Sequence, residues 1–539
     1  MLSGLEIELL EEACSHFQRR YDKVNGGFAS APKFPTPVNL KFLLHLGQWP
    51  DIVKHVVGED DCKKARDMVL HTLRSMAKGG IRDQIGYGFS RYSVTTDWSL
   101  PHFEKMLYDQ AQLLDVYLDA FLINRDAEIL DAVRDISSYL TNFPMQSSSG
   151  GFFSAEDADS YPAKADTGRK REGAYYVWTQ AELASVLKPD ELNILTRFYG
   201  VKSNGNVARQ HDPHNELVGQ NVLKICTTPA TLAEESGLSE PKIKAMLESG
   251  REQLRRHREA NRPRPALDDK TIVCWNGLAI GALARVASAL KTIEPDKASV
   301  CLESALSAAK FIKRELFDPD QDVLYRVYRS GRSDTYGMCD DYAFLIQGLI
   351  DLYEATFDDE HLQFADSLQR IQLERFFDTD GGGGFFTTPS PHPPDVLLRL
   401  KNGMDAAEPS SNSVSARNLW RLGSMLEDDT YIQAARDTLT AFEAEVEQFP
   451  HTFAGMLGSV VMGRLGLKGV VLTGNLKAHE QVLQSLREGV QPNVTVVALG
   501  NGRGAWLQER NKLLKAMNAD RNSVMVCEGQ TCREGSEYV

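Results

Sequence analysis

Three short stretches gather side chains able to move protons. "WSLPHFEKMLYDQ" (98–110) carries His102, Glu104, Lys105 and Asp109; "CDDY" (339–342) sets Asp340 beside Asp341; "SAEDADS" (154–160) carries Glu156, Asp157 and Asp159. Hydrolysis of a glycosidic bond needs two carboxyl groups about 5–5.5 or 6.5–9.5 Å apart, one an acid and the other a nucleophile or base. Sugar epimerisation or aldose–ketose isomerisation needs an acid and a base beside a carbon next to a carbonyl, work suited to histidine pairs or His/Glu. The sequence offers both kinds of group, and His102, Glu104, Asp341 and Asp157 are the candidate catalytic residues. Successive helical residues point about 100° apart, so Asp340 and Asp341 are not expected to act on one atom; one of them fits a helix cap.

Further polar residues are candidates for holding a substrate's oxygens: Lys33, Arg82, Asp83, Asp109, Glu156, Asn276, Asp340 and Asn412. Tyr87, Trp98, Trp178, Trp275 and Tyr342 supply rings on which sugar C–H faces stack. Other chemistries find less support. There is no GxSxG elbow for a serine nucleophile and no GxGxxG or Walker motif for a nucleotide, so no organic cofactor is expected. The acidic run at 156–159 lacks the glycine and final glutamate of a calcium loop, and His211 and His214 lack a third ligand, so no metal is expected either. Of eight cysteines, only Cys527 and Cys532 in "VCEGQTC" are close enough to share a disulfide or a metal. Reduced thiols and a cytoplasmic location fit the scatter best.

Helices must position these groups. Apolar periodicity predicts helices near 5–20, 37–48, 60–78, 102–122, 126–142, 239–258, 275–292, 294–316, 339–357, 358–375, 411–425, 428–447 and 451–464, mostly in pairs with short connections. In the opening stretch Ser99 fits an N-cap and Pro101 a first turn, which would put His102, Lys105 and Asp109 on one helical face. Gly-Gly-aromatic stretches recur between helices, as "NGGF", "GYGF", "SGGFF" and "GGGGFF". The helices beginning near 37, 102, 276, 341, 413 and 451 follow segments rich in binding side chains, whereas those between them begin with ordinary charges. That alternation predicts an α/α barrel. Its inner helices would present their N-termini, with unpaired N–H groups and positive dipole ends, to a common cup. From about 467, "GVVLTG", "VTVVALG" and "SVMVCEG" read as strands of a small α/β appendage over 467–539, leaving 1–466 to the barrel with a β-containing insertion near 149–225.

Composition limits the partners. With 42% hydrophobic and 25% charged residues among 539, the chain has a soluble globular profile. A net charge of −14 argues against nucleic acid, and the basic stretch 251–267 reads as a charged surface helix running into a proline-rich loop. No apolar run approaches the roughly 18–20 residues of a membrane span. The acidic, amphipathic opening segment reads as neither a secretory signal nor a transit peptide. The expected partner is a small carbohydrate or polyol, with neither nucleic acid nor membrane.

The stretches "GGFASAPKFPTP", "GGIRDQIGYGFSRYSVTTDWSLPHFEKMLYDQA", "EGAYYVWT", "CWNGLAI", "DDYA" and "SSNSV" resemble the barrel portion of a thioredoxin-domain-containing family whose animal members are called spermatogenesis-associated proteins. The resemblance covers nearly the whole chain. It implies a six-hairpin (α/α)6 toroid similar to N-acylglucosamine 2-epimerases and six-hairpin glycosidases, and "KMLYDQA" is similar to a helix of the epimerase group. The expected activity is acid/base isomerisation, epimerisation or glycoside hydrolysis of a sugar in the cup. The alternative is a non-catalytic binding or scaffolding module that works beside a thioredoxin-like domain. Members of the family carry that domain ahead of the barrel; this chain begins where it would end, and no redox function is carried over.

Overall fold

The computed structural model describes residues 4–166, 168–392, 396–529 and 531–535. Twelve helices alternate between two concentric rings: α1 (Leu9–Arg20), α2 (Pro37–His45), α3 (Glu59–Lys78), α4 (Leu107–Asn124), α5 (Ala127–Thr141), α6 (Val273–Ala289), α7 (Pro295–Glu315), α8 (Cys339–Thr356), α9 (Asp359–Phe376), α10 (Ser411–Leu426), α11 (Asp429–Thr440) and α12 (Ala454–Leu465). Each even-numbered helix packs on the next, and α12 returns to α2, closing an inner ring of six; each odd-numbered helix leans on an inner neighbour from outside. The chain is an (α/α)6 toroid. Sequence composition explains which helix goes where. Helices α4 and α6 are buried on nearly every side, as apolar all-round helices must be, while α3 and α5 keep one wet face. Inner helices α6 and α8 approach almost backbone to backbone, because a Cβ on Gly348 would stand 2.4 Å from the Gly277 carbonyl oxygen.

The mouth of the ring, where the inner helices begin, is stitched by very short strands. Tyr92–Ser93 pairs with Pro101–His102, and Lys105–Met106 with Ala155–Glu156 and through it Leu267–Asp268. Thr271–Ile272 pairs with Val327–Tyr328. These pairings correct the helix expected from 102: α4 begins at Leu107, and neither Ser99 nor Pro101 caps it. From Pro101 to Met106 buried and half-buried residues alternate one for one, the period of a strand. His102 and Glu104 therefore share one face, and Lys105 points to the other.

Three of the four Gly-Gly-aromatic stretches are tied to the inner helices by side-chain amides. Gln110 of α4 accepts from the Phe89 N–H and donates to its carbonyl, at 2.9 and 2.6 Å. Asn276 of α6 does the same for Phe152, at 2.8 and 3.1 Å, and Asn412 of α10 for Phe385, at 2.7 and 2.9 Å. Each satisfies a buried backbone pair that no ladder reaches. The three phenylalanines are fully buried.

Between α5 and α6 the chain leaves the ring and forms the helices Gln180–Val186, Pro189–Phe198, Pro229–Ser236 and Glu240–Asn261 around their own apolar cluster, with Trp178, Leu187, Leu195 and Leu254 at its centre. Past α12, the strands Lys468–Thr473, Val494–Leu499, Ser523–Glu528 and Thr531–Glu534 form one mixed sheet. It lies against the base of the ring, where the Glu354 carboxylate accepts from Val496 N–H and the Tyr353 hydroxyl from Ala498 N–H. Cys527 and Cys532 face each other across the last hairpin and are joined by a disulfide, so these two thiols are not reduced. Among the described residues, no helix is long and apolar enough to cross a membrane.

Candidate active site

The mouth gathers carboxyl groups from three inner-helix entries and an indole from a fourth. Asp109 lies in the first turn of α4, and Asp340 and Asp341 in the first turn of α8; Glu408 sits on the loop that enters α10, beside Trp275 of α6. Arg91 and Arg326 are the cations among them. Arg326 grips Asp340 with two bonds, at 2.8 and 3.0 Å, and reaches Asp341 at 2.6 Å. Arg91 reaches Glu104 at 3.3 Å. The buried ring of Tyr108 leans on Trp275 with centroids 5.0 Å apart.

Two of these carboxyl groups each keep one oxygen without a partner. Asp109 is buried, its Oδ2 meets no hydrogen-bond partner, and burial raises its pKa well above the ordinary range; Arg91 opposes the rise while Glu408 and Glu104 add to it. The Glu408 Oε1 is likewise buried without a partner. Burial pushes its pKa up to about 7, with Asp340 reinforcing and Arg326 opposing. Asp341 also rises to about 7, through burial and the adjacent Asp340 charge, but it is engaged. It accepts from the Met338 N–H at 2.8 Å and the Cys274 N–H at 3.0 Å, as a cap for α8 and a tie to α6. A carboxyl group that titrates near neutrality can donate a proton and take it back.

His102 stands 28% exposed at the outer rim, stacked on Tyr92. The Glu172 carboxylate, 2.7 Å from its Nδ1, raises its pKa against the effect of burial, and Glu104 lies 3.9 Å from Nε2. This imidazole is held toward its charged form.

The remaining sequence candidates are placed as follows. Lys33 is fully buried and donates to Asp22 and to the Gly26 carbonyl, over the ring of Trp98, whose indole N–H donates to the Asn25 carbonyl. Arg82 is buried against Asp131 and Asp135. Asp83 takes Arg258 and Lys105, the latter also bonded to the Tyr87 carbonyl. Glu156 is buried with Arg264 and the Tyr139 hydroxyl, and Trp178 is buried under the Arg262 guanidinium. The Tyr342 hydroxyl accepts from the Leu324 N–H, and Asn276 and Asn412 are the backbone ties described above. These contacts tie the chain to itself. Asp157 is exposed outside the mouth, with Lys170 3.8 Å away. The mouth thus unites Glu104, Asp109, Trp275, Asp340 and Asp341, with His102 at its edge. Sequence reasoning missed Glu408, Arg91 and Arg326, which sit in irregular segments where no periodicity singles them out. The one available signal for Glu408 was its position in "DAAEPSSNS", a polar approach to an inner helix.

The described residues contain no group of three or more His, Cys, Asp or Glu arranged to hold a metal ion.

No protein-family model matches the chain. Over 533 residues it is 37% identical to spermatogenesis-associated protein 20 of Mus musculus, covering 95% of this chain and 65% of that protein. The Homo sapiens protein of the same name is also 37% identical, with 66% of its length covered. An uncharacterized Caenorhabditis elegans protein is 32% identical over 97% of this chain and 71% of its own length. The chain spans just under two thirds of the mammalian relatives. Among solved structures, cellobiose 2-epimerase from Bacillus thermoamylovorans aligns with a TM-score of 0.48 at 7% identity, covering 85% of this chain and 98% of that one. A family 76 mannosidase from Bacteroides thetaiotaomicron aligns at 0.44 and 10% identity, over 85% and 97%. At these values neither lends this chain any chemistry.

Proposed function

The chain belongs to the family of spermatogenesis-associated protein 20, and we propose that its toroid is a carbohydrate-active enzyme whose mouth delivers a proton from a carboxyl group to a sugar oxygen. Glu408 carries this reading: a half-buried carboxyl group with Oε1 unpartnered and a pKa pushed up to about 7, to which the Trp275 indole N–H donates. In its protonated form it donates to the departing oxygen. Asp340, fixed by two bonds from Arg326, is the neighbouring carboxylate and takes the part of base or nucleophile. Trp275 offers a face to the sugar ring. Asp109, biased toward its neutral form, donates a hydrogen bond. Carboxyl groups as acid and base favour glycoside hydrolysis over epimerisation or isomerisation. The imidazole at the rim, His102, is stabilised as a cation by Glu172 and is better suited to holding an oxygen than to removing a proton.

A second reading rests on a different observation. The loop into α10 crosses the mouth, and its Ala407 carbonyl accepts from Gln112 of α4 at 2.9 Å. A cup closed by its own loop fits a module that binds a sugar without turning it over.

Proton NMR in D2O of the full chain with free sugars and short oligosaccharides separates the readings. New anomeric signals, lost in Glu408→Gln, support hydrolysis. Deuterium at C2 replaces hydrolysis with isomerisation or epimerisation. Broadened sugar resonances without turnover support the binding module, and unchanged spectra across the panel count against both.

A further inference from the structure

Behind the mouth, the lumen of the ring holds two adjoining cavities of about 150 and 110 Å3, which share Lys41, His45, Gln347, Arg417 and Pro492 in their walls. The larger, toward the base, is walled by charge, and the carboxylates in and around the lumen are matched. Asp115 is bonded by Lys41 and Arg285, Asp119 by Arg285 and His45, and Asp351 and Glu354 by Arg421. Arg417, one turn before Arg421 on α10, is different. Its Nε is buried without a partner, and among the described residues its guanidinium makes no hydrogen bond or ion pair. The Gln347 amide, on α8, borders both cavities and makes none either.

A guanidinium does not shed its proton in a protein, so burial leaves it in need of an acceptor. Burial opposes the Arg417 charge, as do Arg421 and Arg285 close by, and the nearby Asp351 and Asp115 are already taken. The second cavity runs away from this head group and is lined mainly by apolar side chains, including Phe42, Trp49, Val116, Leu278, Val414 and Met462, with Gln112, Asp115 and Ser413 among them. We propose that the lumen is a binding site for a small organic monocarboxylate, its head on the Arg417 guanidinium and the Gln347 amide and its hydrocarbon body in the apolar cavity. The site is separate from the proton-transfer site at the mouth and does not depend on that reading. The apolar cavity, at about 110 Å3, is smaller than the roughly 150 Å3 that accepts a benzene-sized guest, which sets the body at about three to five carbons. A phosphate is disfavoured, because Asp115 and Asp351 stand near the guanidinium and repel a second negative charge.

Isothermal titration of the full chain with acetate, butyrate, hexanoate and inorganic phosphate at constant ionic strength tests the proposal. Saturable binding that tightens from acetate to butyrate is expected, with Arg417→Met weakening butyrate at least about tenfold, the loss of one charge-assisted contact. Gln347→Leu, which removes an amide without protein partners, is expected to weaken butyrate several-fold and provides the test if Arg417→Met does not fold. Butyrate binding unchanged in these variants, or no saturable binding of any carboxylate, overturns the site. Phosphate binding more tightly than butyrate overturns the ligand class.

Discussion

Asp109 and Asp119 lie on the same helix, both buried, and their surroundings treat them in opposite ways. Burial alone would raise Asp119, yet Arg285 and the bond to His45 carry its pKa below the ordinary carboxylate range. Asp109, at the other end of α4, has Oδ2 without a donor and a pKa driven well up. The contrast extends around the ring. At the base, Asp115, Asp119, Asp351 and Glu354 meet Lys41, Arg285 and Arg421 in direct pairs. At the mouth, Asp109 and Glu408 remain unmatched beside Asp340, Asp341 and Arg326. Matched charges fix an architecture. Unmatched carboxyl groups, kept neutral by their surroundings, are able to exchange protons.

Removing a partner at the base should be costly. Arg285→Met takes one of two partners from each of Asp115 and Asp119, leaving Lys41 and His45, and a loss of about 3 kcal/mol in urea unfolding is expected. A loss below about 1 kcal/mol would mean that the base is no more tightly matched than a solvated surface. At the mouth the expected effect is on catalysis: Glu408→Gln should lower turnover of a hydrolysed substrate about 100-fold and abolish a decline in activity above about pH 7. If activity survives with an unchanged pH profile, Glu408 is not the acid.

The backbone ties of the mouth should come next in size. Asn412→Ala leaves the Phe385 N–H and carbonyl without that partner and should cost about 1–3 kcal/mol, with Asn276→Ala similar at Phe152. The smallest effect separates the ends by pH. The folded pKa of Glu408, about 7, lies above its ordinary 4.5, so the folded protein binds this proton more tightly. Its contribution is fully present below about pH 4.5 and is lost as the pH rises through about 7. Because the side chain is only half-buried, less than the full displacement from 4.5 to about 7 is expressed, and Glu408→Gln should be about 1–2 kcal/mol more stable than the parent at pH 8 and little different at pH 4, measured by urea unfolding at both values.

Much of the ring was legible in the sequence. Each inner helix repeats apolar residues at helical spacing and follows a polar approach segment, and all six proposed inner helices line the lumen. The first turns were less legible. "PHFEKM" satisfies a helical pattern and an alternating one, and pairing with Tyr92–Ser93 and Ala155–Glu156 decides for the strand. Pairing also explains why so many polar candidates turn inward. Arg82, Asp83, Lys105 and Glu156 look like solvent-facing groups along the chain, but their partners Asp135, Arg258 and Arg264 are distant in sequence. The unmatched groups are harder to recognise still, because what distinguishes Glu408 and Arg417 is a missing neighbour, and a sequence does not display one.

The amide ties have a consequence for motion. Phe89, Phe152 and Phe385 belong to segments that would ordinarily breathe, yet each amide hydrogen points at a buried side-chain oxygen on an inner helix. Hydrogen–deuterium exchange at these amides should be as slow as in the helices themselves, reporting opening of the whole ring instead of local fraying. These three parts of the rim move with the barrel wall.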